Sequence, residues 1–398
     1  MMKYPLLDNA FSNDDIKKGI EVLKSKQITM SKETEVFEKI FSKKNNSNFA
    51  LMCNSGSSAN LLMVSAACNP LRDNNLKKND EVLIPAVCWS TSLWPLIQNG
   101  LIPKFVDIDL KTLNIDIDDL ERKITKKTKA IMTVHILGLS TNMDKLVKIC
   151  KKKKLILFED TCESLGTKYK SKYLGNFGDF ASYSFYYSHQ ITSGEGGMVV
   201  CKNQKDYEIL KCLRSHGWSR NSNLHKLYKK KYKNLNDKFL FINSGYNLRP
   251  LDVTAAIAKN QYKRLDLFIK ERNSNRKLII KKILNHKKWN NQFIFLKVPK
   301  NIQPSWFGLP ILISDRLKSK KNKFLKFLDK IGIENRPIVS GNFLNQPASK
   351  LYKLTSKEKF ISSQKVEDNG FFIGLHTKKT SQKLANYIAH NLLKIEQI

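Results

Sequence analysis

At 398 residues the chain is long enough to bury a large core, and two domains are expected. Seventy Lys and Arg against 35 Asp and Glu give a net charge of +35, a balance that raises nucleic-acid binding. The lysines recur almost everywhere, at 151–154, 226–233, 318–327 and in the closing segment, without aromatic interleaving or a nucleic-acid motif, so they read as solvated faces, and only the stretch around Arg220 to Lys233 stands out as a lure for an anionic substrate.

The opening residues MMKYPLLDNAFSNDD lack an apolar leader and a small-residue cleavage site, and no window reaches the ~18 apolar residues of a membrane span, which predicts a cytoplasmic protein. Short β-rich runs then recur between helical stretches. VLIPAV (82–87), KFVDID (104–109), AIMTVHILG (130–138), LILFED (155–160), FASYSFY (180–186) and GGMVV (196–200) predict strands. Helical spacing of Leu146, Val147 and Cys150 predicts a helix over 144–154. This alternation implies an α/β fold with a mostly parallel central sheet flanked by helices, whose ligand chemistry gathers at the carboxyl ends of the strands. Ser219 to Asp237 is polar, lysine-rich and without pattern, and reads as a mobile surface loop. Beyond about residue 260 the rhythm changes to a long helical pattern. It is followed by a strand (306–313), a helix (319–333) and a terminal amphipathic helix (381–395), which divides the chain into a large unit, 1–260, and a smaller α/β unit, 261–398.

Three segments carry chemistry. NSGSSANLL, from Asn54 to Leu62, follows the apolar FALMC and leads into a helical run, so Gly56, Ser57 and Ser58 present backbone N–H groups and hydroxyls at a helix N-terminus. That arrangement suits a phosphate or a plain N-cap equally. Glu159-Asp160 ends a strand, where Asp160 fits either a carboxylate for a protonated pyridine nitrogen or a helix cap, and Trp89 after VLIPAV fits either a ring-stacking residue or simple packing. In SFYYSHQITSGEGGMVV a strand ends at Ser184-Phe185, His189 follows five residues after Ser184, and Gly196-Gly197 opens the next strand.

NSGSSAN, IPAVCWST, FVDID, EDTCESLG, GDFASYSFYYSHQITSGEGG, LRSHGW, GYNLRP and RPIVSGNF stand in this order along nearly the whole chain. In them the sequence resembles the DegT-type sugar aminotransferases and their dehydratase relatives, a pyridoxal-phosphate family of fold type I. The aminotransferases of that family carry a lysine where this chain has His189. A lysine bonds covalently to the cofactor, a histidine cannot, and an imidazole of ordinary pKa near ~6.5 is suited to moving protons near neutrality. The resemblance is nearest to the branch that deoxygenates a GDP-linked 4-keto-6-deoxymannose at C3 in colitose formation. It implies a lyase working with pyridoxamine phosphate and pyridoxal phosphate, a nucleotide-linked 4-keto-6-deoxyhexose as substrate, L-glutamate to restore the amine, and His189 as base and acid.

Position by position, the resemblance places the cofactor phosphate against Gly56, Ser57, Ser58 and Ser184, Trp89 on one ring face, Asp160 at the pyridine nitrogen and Glu163 beside the ring hydroxyl. Asn247 reaches the phosphate from a neighbouring subunit, which implies a homodimer with shared sites. His216 falls near the sugar or is a structural loop histidine. Arg249 and Arg336 suit the glutamate carboxylate, the diphosphate or an interface ion pair. Two positions depart from the family pattern: Gln190 stands where the branch has a second histidine, and Ser31 where a glycine is common. The seven cysteines are scattered with none after Cys212 and no C-x-x-C pair, which argues against metal ligation and against the iron–sulfur-dependent CDP-sugar 3-dehydrases of the same family. An ordinary nucleotide-sugar aminotransferase, or a basic regulatory or nucleic-acid-binding protein on the same fold, are the competing readings.

Overall fold

The structure is a computed structural model, and it describes residues 2–7 and 10–398. Seven strands build the main sheet: β1 (Phe49–Cys53), β2 (Glu81–Pro85), β3 (Ile102–Val106), β4 (Thr128–Val134), β5 (Ile156–Asp160), β6 (Phe180–Ser184) and β7 (Gly197–Cys201). Their hydrogen-bonded order is β1-β7-β6-β5-β4-β2-β3. β7 is antiparallel to both neighbours and every other pair is parallel. Every residue of β2, β6 and β7 is buried, because helices cover both faces, and this is why these strands read as apolar runs instead of alternating ones.

The reversed β7 fixes where the functional edge lies. Its first residue, Gly197, pairs with Cys53 at the end of β1 and with Ser184 at the end of β6. Asp160 closes β5 on the same edge, since β5 and β6 run in parallel. A Cβ at Gly197 would lie 2.2 Å from the carbonyl oxygen of Ser55, so only glycine lets β7 start this close to the helix that follows β1.

A second sheet comes from the C-terminal part: β8 (Phe293–Phe295), β9 (Gly308–Ile313), β10 (Asn335–Arg336) and β11 (Gly370–Gly374). Its order is β8-β9-β11-β10, antiparallel throughout. The N-terminal segment packs on it, for Tyr4 bridges to Ile333 and its hydroxyl donates to the Gly374 carbonyl at 2.9 Å. One apolar cluster runs unbroken from Leu51 and Ile84 to Ile311 and Phe371.

Several predicted elements differ in their bounds, among them the run 180–186, whose strand ends at Ser184, and three show why. The run KFVDID leaves the sheet at Val106, because the Asp107 carboxylate turns aside to accept the N–H groups of Ser362 at 3.0 Å and Ser363 at 2.8 Å. The strand predicted to reach Gly138 ends at Val134, and Ile136–Gly138 forms a single 3-10 turn with Leu137 at φ 51°. The Ser219 to Asp237 segment is not all loop, for Leu224–Lys231 is a helix. Its start is stabilised from outside, by Glu208 accepting from Ser222 Oγ and Asn223 N, each at 2.7 Å. Ser31, at φ −157°, needs no glycine conformation.

Candidate active site at the carboxyl edge of the main sheet

The chain leaving β1 turns at Ser55, whose side chain accepts from Ser58 N at 3.1 Å and caps the helix Gly56–Ala67. Ser55 therefore does the capping and also donates to Ser58 Oγ at 3.0 Å, so Ser57 is the hydroxyl of this turn that is left exposed. Ser57 is exposed, with its hydroxyl 2.9 Å from that of Thr91. A Cβ at Gly56 would stand 2.5 Å from Ser184 Cβ and 3.1 Å from Cys162 Sγ. This absent side chain is what lets the helix N-terminus, the end of β6 and the segment after β5 pack together, and the helix dipole favours an anion at that end.

Asp160 is only 4% exposed. Its Oδ2 accepts from Asn60 Nδ2 at 2.8 Å and Ser92 Oγ at 2.6 Å, and its Oδ1 from Cys162 N at 3.1 Å. All three donors are neutral, and among the described residues no Lys, Arg or His pairs with it. A buried carboxylate without a cation is costly. Its neighbour Glu159 shows the contrast: that carboxylate is fully buried too, but His135 at 3.0 Å and the N–H groups of Gly175, Phe177 and Gly178 hold it below the usual carboxylate range against its burial. Trp89, immediately before the helix Ser90–Gln98 that supplies Ser92, is 58% exposed. An indole that open is not a core residue, and it is accessible to a planar ring.

His189 sits on the turn after β6, closed by its own N–H donating to the Tyr186 carbonyl at 3.0 Å. The imidazole is half-buried and meets two rings edge to face, Phe307 at 5.0 Å and Tyr186 at 5.9 Å. Burial, and secondarily the positive charge of Arg272, push it down to about 3, well below the ordinary value the sequence suggested. Both effects favour the neutral ring. Gln190 points the other way, its amide donating to the carbonyls of Glu163 at 2.5 Å and Ser305 at 3.2 Å. It fastens the turn to the body of the protein and is no second base.

Glu163 lies half-buried in the segment after β5, one oxygen accepting from Leu137 N at 2.9 Å. Desolvation and the nearby Asp160 charge raise it to about 7 against that hydrogen bond. His216 (φ 60°) and Asn247 lie on two exposed strands of loop: Ser215 bridges to Asn247, and His216 N donates to Tyr246 O at 2.7 Å. Arg249 Nε donates to Asn247 Oδ1 at 3.0 Å, and Asn54 N to Leu248 O at 3.1 Å, so this group flanks the exit of β1. Arg336 stands apart on β10 of the second sheet, exposed, with Nη1 on the Asn335 carbonyl.

These features fit a pyridoxal or pyridoxamine phosphate. The helix N-terminus at Gly56 would hold the phosphate, Asp160 would face a protonated ring nitrogen, and Trp89 would offer a stacking face. Sequence reasoning did not single out Asn60, Ser92, Phe307 or Arg272. Each lies far along the chain from the group it serves, and only an amide or hydroxyl at a buried helical position hinted at the first two.

The sequence profile of the DegT/DnrJ/EryC1/StrS aminotransferase family matches residues 9–392. The chain is 39% identical over 382 residues to a GDP-4-keto-6-deoxy-D-mannose 3-dehydratase of Escherichia coli O55:H7, covering 94% of this chain and 96% of that one. A solved GDP-4-keto-6-deoxymannose-3-dehydratase mutant with bound GDP-perosamine superposes with a TM-score of 0.88 at 37% identity, covering 98% of this chain and all of the other. The same enzyme with a trapped PLP-glutamate geminal diamine gives 0.88 at 35% identity, over the same shares.

Proposed function

The chain belongs to the DegT/DnrJ/EryC1/StrS aminotransferase family, and from that premise we propose that it is a pyridoxal-phosphate-dependent lyase removing the C3 hydroxyl of a nucleotide-linked 4-keto-6-deoxyhexose, with GDP-4-keto-6-deoxy-D-mannose as the first substrate. The observation that carries this reading is His189, a neutral imidazole standing where a transaminating enzyme has its lysine, in a site otherwise equipped for the cofactor. The bound pyridoxamine phosphate supplies an amine for the C4 ketone and an electron sink that lets the neighbouring hydroxyl leave, and L-glutamate restores the amine.

The chain's own groups divide the remaining work. Gly56, Ser57, Ser58 and Ser184 hold the phosphate, and Asp160, whose side-chain partners among the described residues are neutral, keeps the ring nitrogen protonated. Trp89 stacks on the ring. His189 Nδ1 is enclosed without a partner among the described residues, so proton exchange with the site falls to Nε2. As a free base it removes a proton there, and once protonated it gives that proton to the departing hydroxyl. Glu163 bonds the ring hydroxyl, while His216 faces the sugar and Arg249, beside Asn247, serves the diphosphate or the glutamate carboxylate; Arg336 has the chemistry for the same anions but lies on the second sheet. Net, the sugar loses one oxygen, and glutamate leaves as 2-oxoglutarate and ammonia after giving two electrons.

The active unit in this reading is a homodimer in which Asn247 serves the partner's phosphate. Support comes from Ile16, Ile20 and Leu23, which line one face of the helix Asn13–Ser25 at 50%, 44% and 51% exposure. Among the described residues no helix is long and apolar enough to cross a membrane.

The test is incubation with pyridoxal phosphate, L-glutamate and a panel of nucleotide 4-keto-6-deoxyhexoses, with products weighed by mass spectrometry. A keto sugar lighter by one oxygen, with ammonia released in step, is expected. A stable amino sugar would instead mark an aminotransferase and refute the proposal.

A further inference from the structure

The helix Leu265–Leu284 buries Leu265, Arg272, Asn275, Ile279 and Ile283. Leu265, Arg272 and Ile279 are seven residues apart, so a guanidinium occupies the middle of a stripe that helical periodicity reserves for apolar side chains. Arg272 is 2% exposed, and among the described residues no carboxylate pairs with it. A charge in that position is costly and calls for an explanation.

Its donors supply one. Nη2 donates to the carbonyl of His189 at 3.3 Å and Nη1 to the carbonyl of Trp306 at 2.9 Å. The residue after Trp306 is Phe307, whose ring meets the His189 imidazole edge to face at 5.0 Å. One planar fork therefore ties together the backbone that carries the imidazole and the backbone that carries the ring packed against it. Other groups around the imidazole are Tyr186 on its own turn, Gln190 turned toward Glu163 and Ser305, and, one turn along the helix from Arg272, Arg276, whose guanidinium lies over Trp306 at 4.4 Å. Tyr4 faces Arg272 itself. The Glu163 carboxylate is engaged with Leu137 N.

We infer that Arg272 is a positioning residue for the reaction's base: its guanidinium anchors the His189 carbonyl and the chain bearing Phe307. Its positive charge acts beside that anchor, against a second cation on the imidazole. The inference rests on His189 acting as the base. Two consequences separate these actions. The charge acts at a distance and survives in Arg272→Lys; the two-pronged anchor is lost there. Arg272→Gln removes the charge and shortens the reach. The imidazole is depressed first by its own burial and then by this charge, so losing the charge raises its titration midpoint and carries the loss of the free base to higher pH.

The experiment uses full-length holoenzyme with 13C-labelled histidine, the His189 resonance being assigned by its disappearance in His189→Asn. In the wild type that resonance is expected to stay flat down to about pH 5, unlike an ordinary histidine near ~6.5. In Arg272→Gln its midpoint rises by about one unit, the usual size of a neighbouring-charge effect, and the acid limb of kcat rises with it. In Arg272→Lys the midpoint stays low while kcat falls about tenfold or more with KM for the sugar nearly unchanged, as misplacement of a catalytic group predicts. A wild-type His189 titrating near ~6.5 overturns the inference whether or not the variants fold. So do Gln and Lys variants that share the wild-type midpoint and kcat. If the resonance behaves as expected but no sugar is turned over, the effect of Arg272 on the imidazole stands and the proposed reaction falls.

Discussion

Replacing Asp160 by asparagine isolates the charge that the structure leaves unmatched. In the wild type Oδ2 accepts from Asn60 and Ser92 while Oδ1 accepts from Cys162 N. An asparagine has one acceptor oxygen. If that oxygen keeps the bonds to Asn60 and Ser92, the amide nitrogen faces the Cys162 N–H, donor against donor, at a cost of about 1–3 kcal/mol for the unmet group. Against this, the variant no longer buries an uncompensated charge, so the apoprotein should fold with nearly wild-type stability. The decisive loss is the charge-assisted bond to the cofactor nitrogen, worth about 1.5–3 kcal/mol, or roughly ten- to 150-fold in the cofactor Kd. The assay pairs an absorbance titration of pyridoxal phosphate with thermal midpoints of apo and loaded protein. The wild type should gain clearly more stability from the cofactor than Asp160→Asn does at the same concentration. Equal Kd values and an unchanged kcat would refute the assignment of Asp160 to the ring nitrogen.

His189→Asn should lower turnover by about 10²–10⁴-fold with cofactor affinity kept, whereas His189→Lys should yield a borohydride-trappable adduct; a variant Asn enzyme at wild-type rate would remove His189 from the proton transfer. Gly56→Ala forces a methyl to 2.5 Å from Ser184 Cβ; a cost of about 1–3 kcal/mol and weaker cofactor binding are expected, and an unaltered Kd would argue against the cradle. Glu163 is raised from 4.5 to about 7, so the folded apoprotein binds a proton that the unfolded chain has lost between those values. Its contribution to stability is therefore present at low pH and lost as pH rises from 4.5 toward 7; denaturation midpoints of wild type and Glu163→Gln measured across that window should diverge, and parallel curves would contradict the raised value. Mixing His189→Asn with Asn247→Ala subunits should restore activity through heterodimers in which one site draws both intact residues; no recovery after subunit exchange would place Asn247 in its own chain's site.

Much of the parallel sheet was legible because its strands are buried on both faces and read as unbroken apolar runs. The strand ends were less legible. Asp107 leaves the ladder to cap a helix 255 residues away, and no local pattern records that. The helix Leu224–Lys231 was missed for the same reason, since its start depends on the distant Glu208 and none of its residues is buried. Gln190 looked like a lost histidine, and its bonds to Glu163 and Ser305 make it a fastening of the turn.

Residue types in order along the chain determined the chemistry on offer: a glycine-serine helix start, a carboxylate at a strand end, and a histidine in a lysine's place. Those are local facts, carried by side-chain chemistry and by the short-range geometry of strand and helix termini. What only the tertiary structure decided is the electrical state of those groups. The buried Asp160 carboxyl meets three neutral donors and, among the described residues, no cation. His189 is a neutral base because a helix some 80 residues on brings Arg272 and a dry wall to it. Desolvation and Coulomb fields depend on what is packed within a few ångströms, and Asn60, Ser92 and Arg272 lie 100, 68 and 83 residues along the chain from the groups they meet.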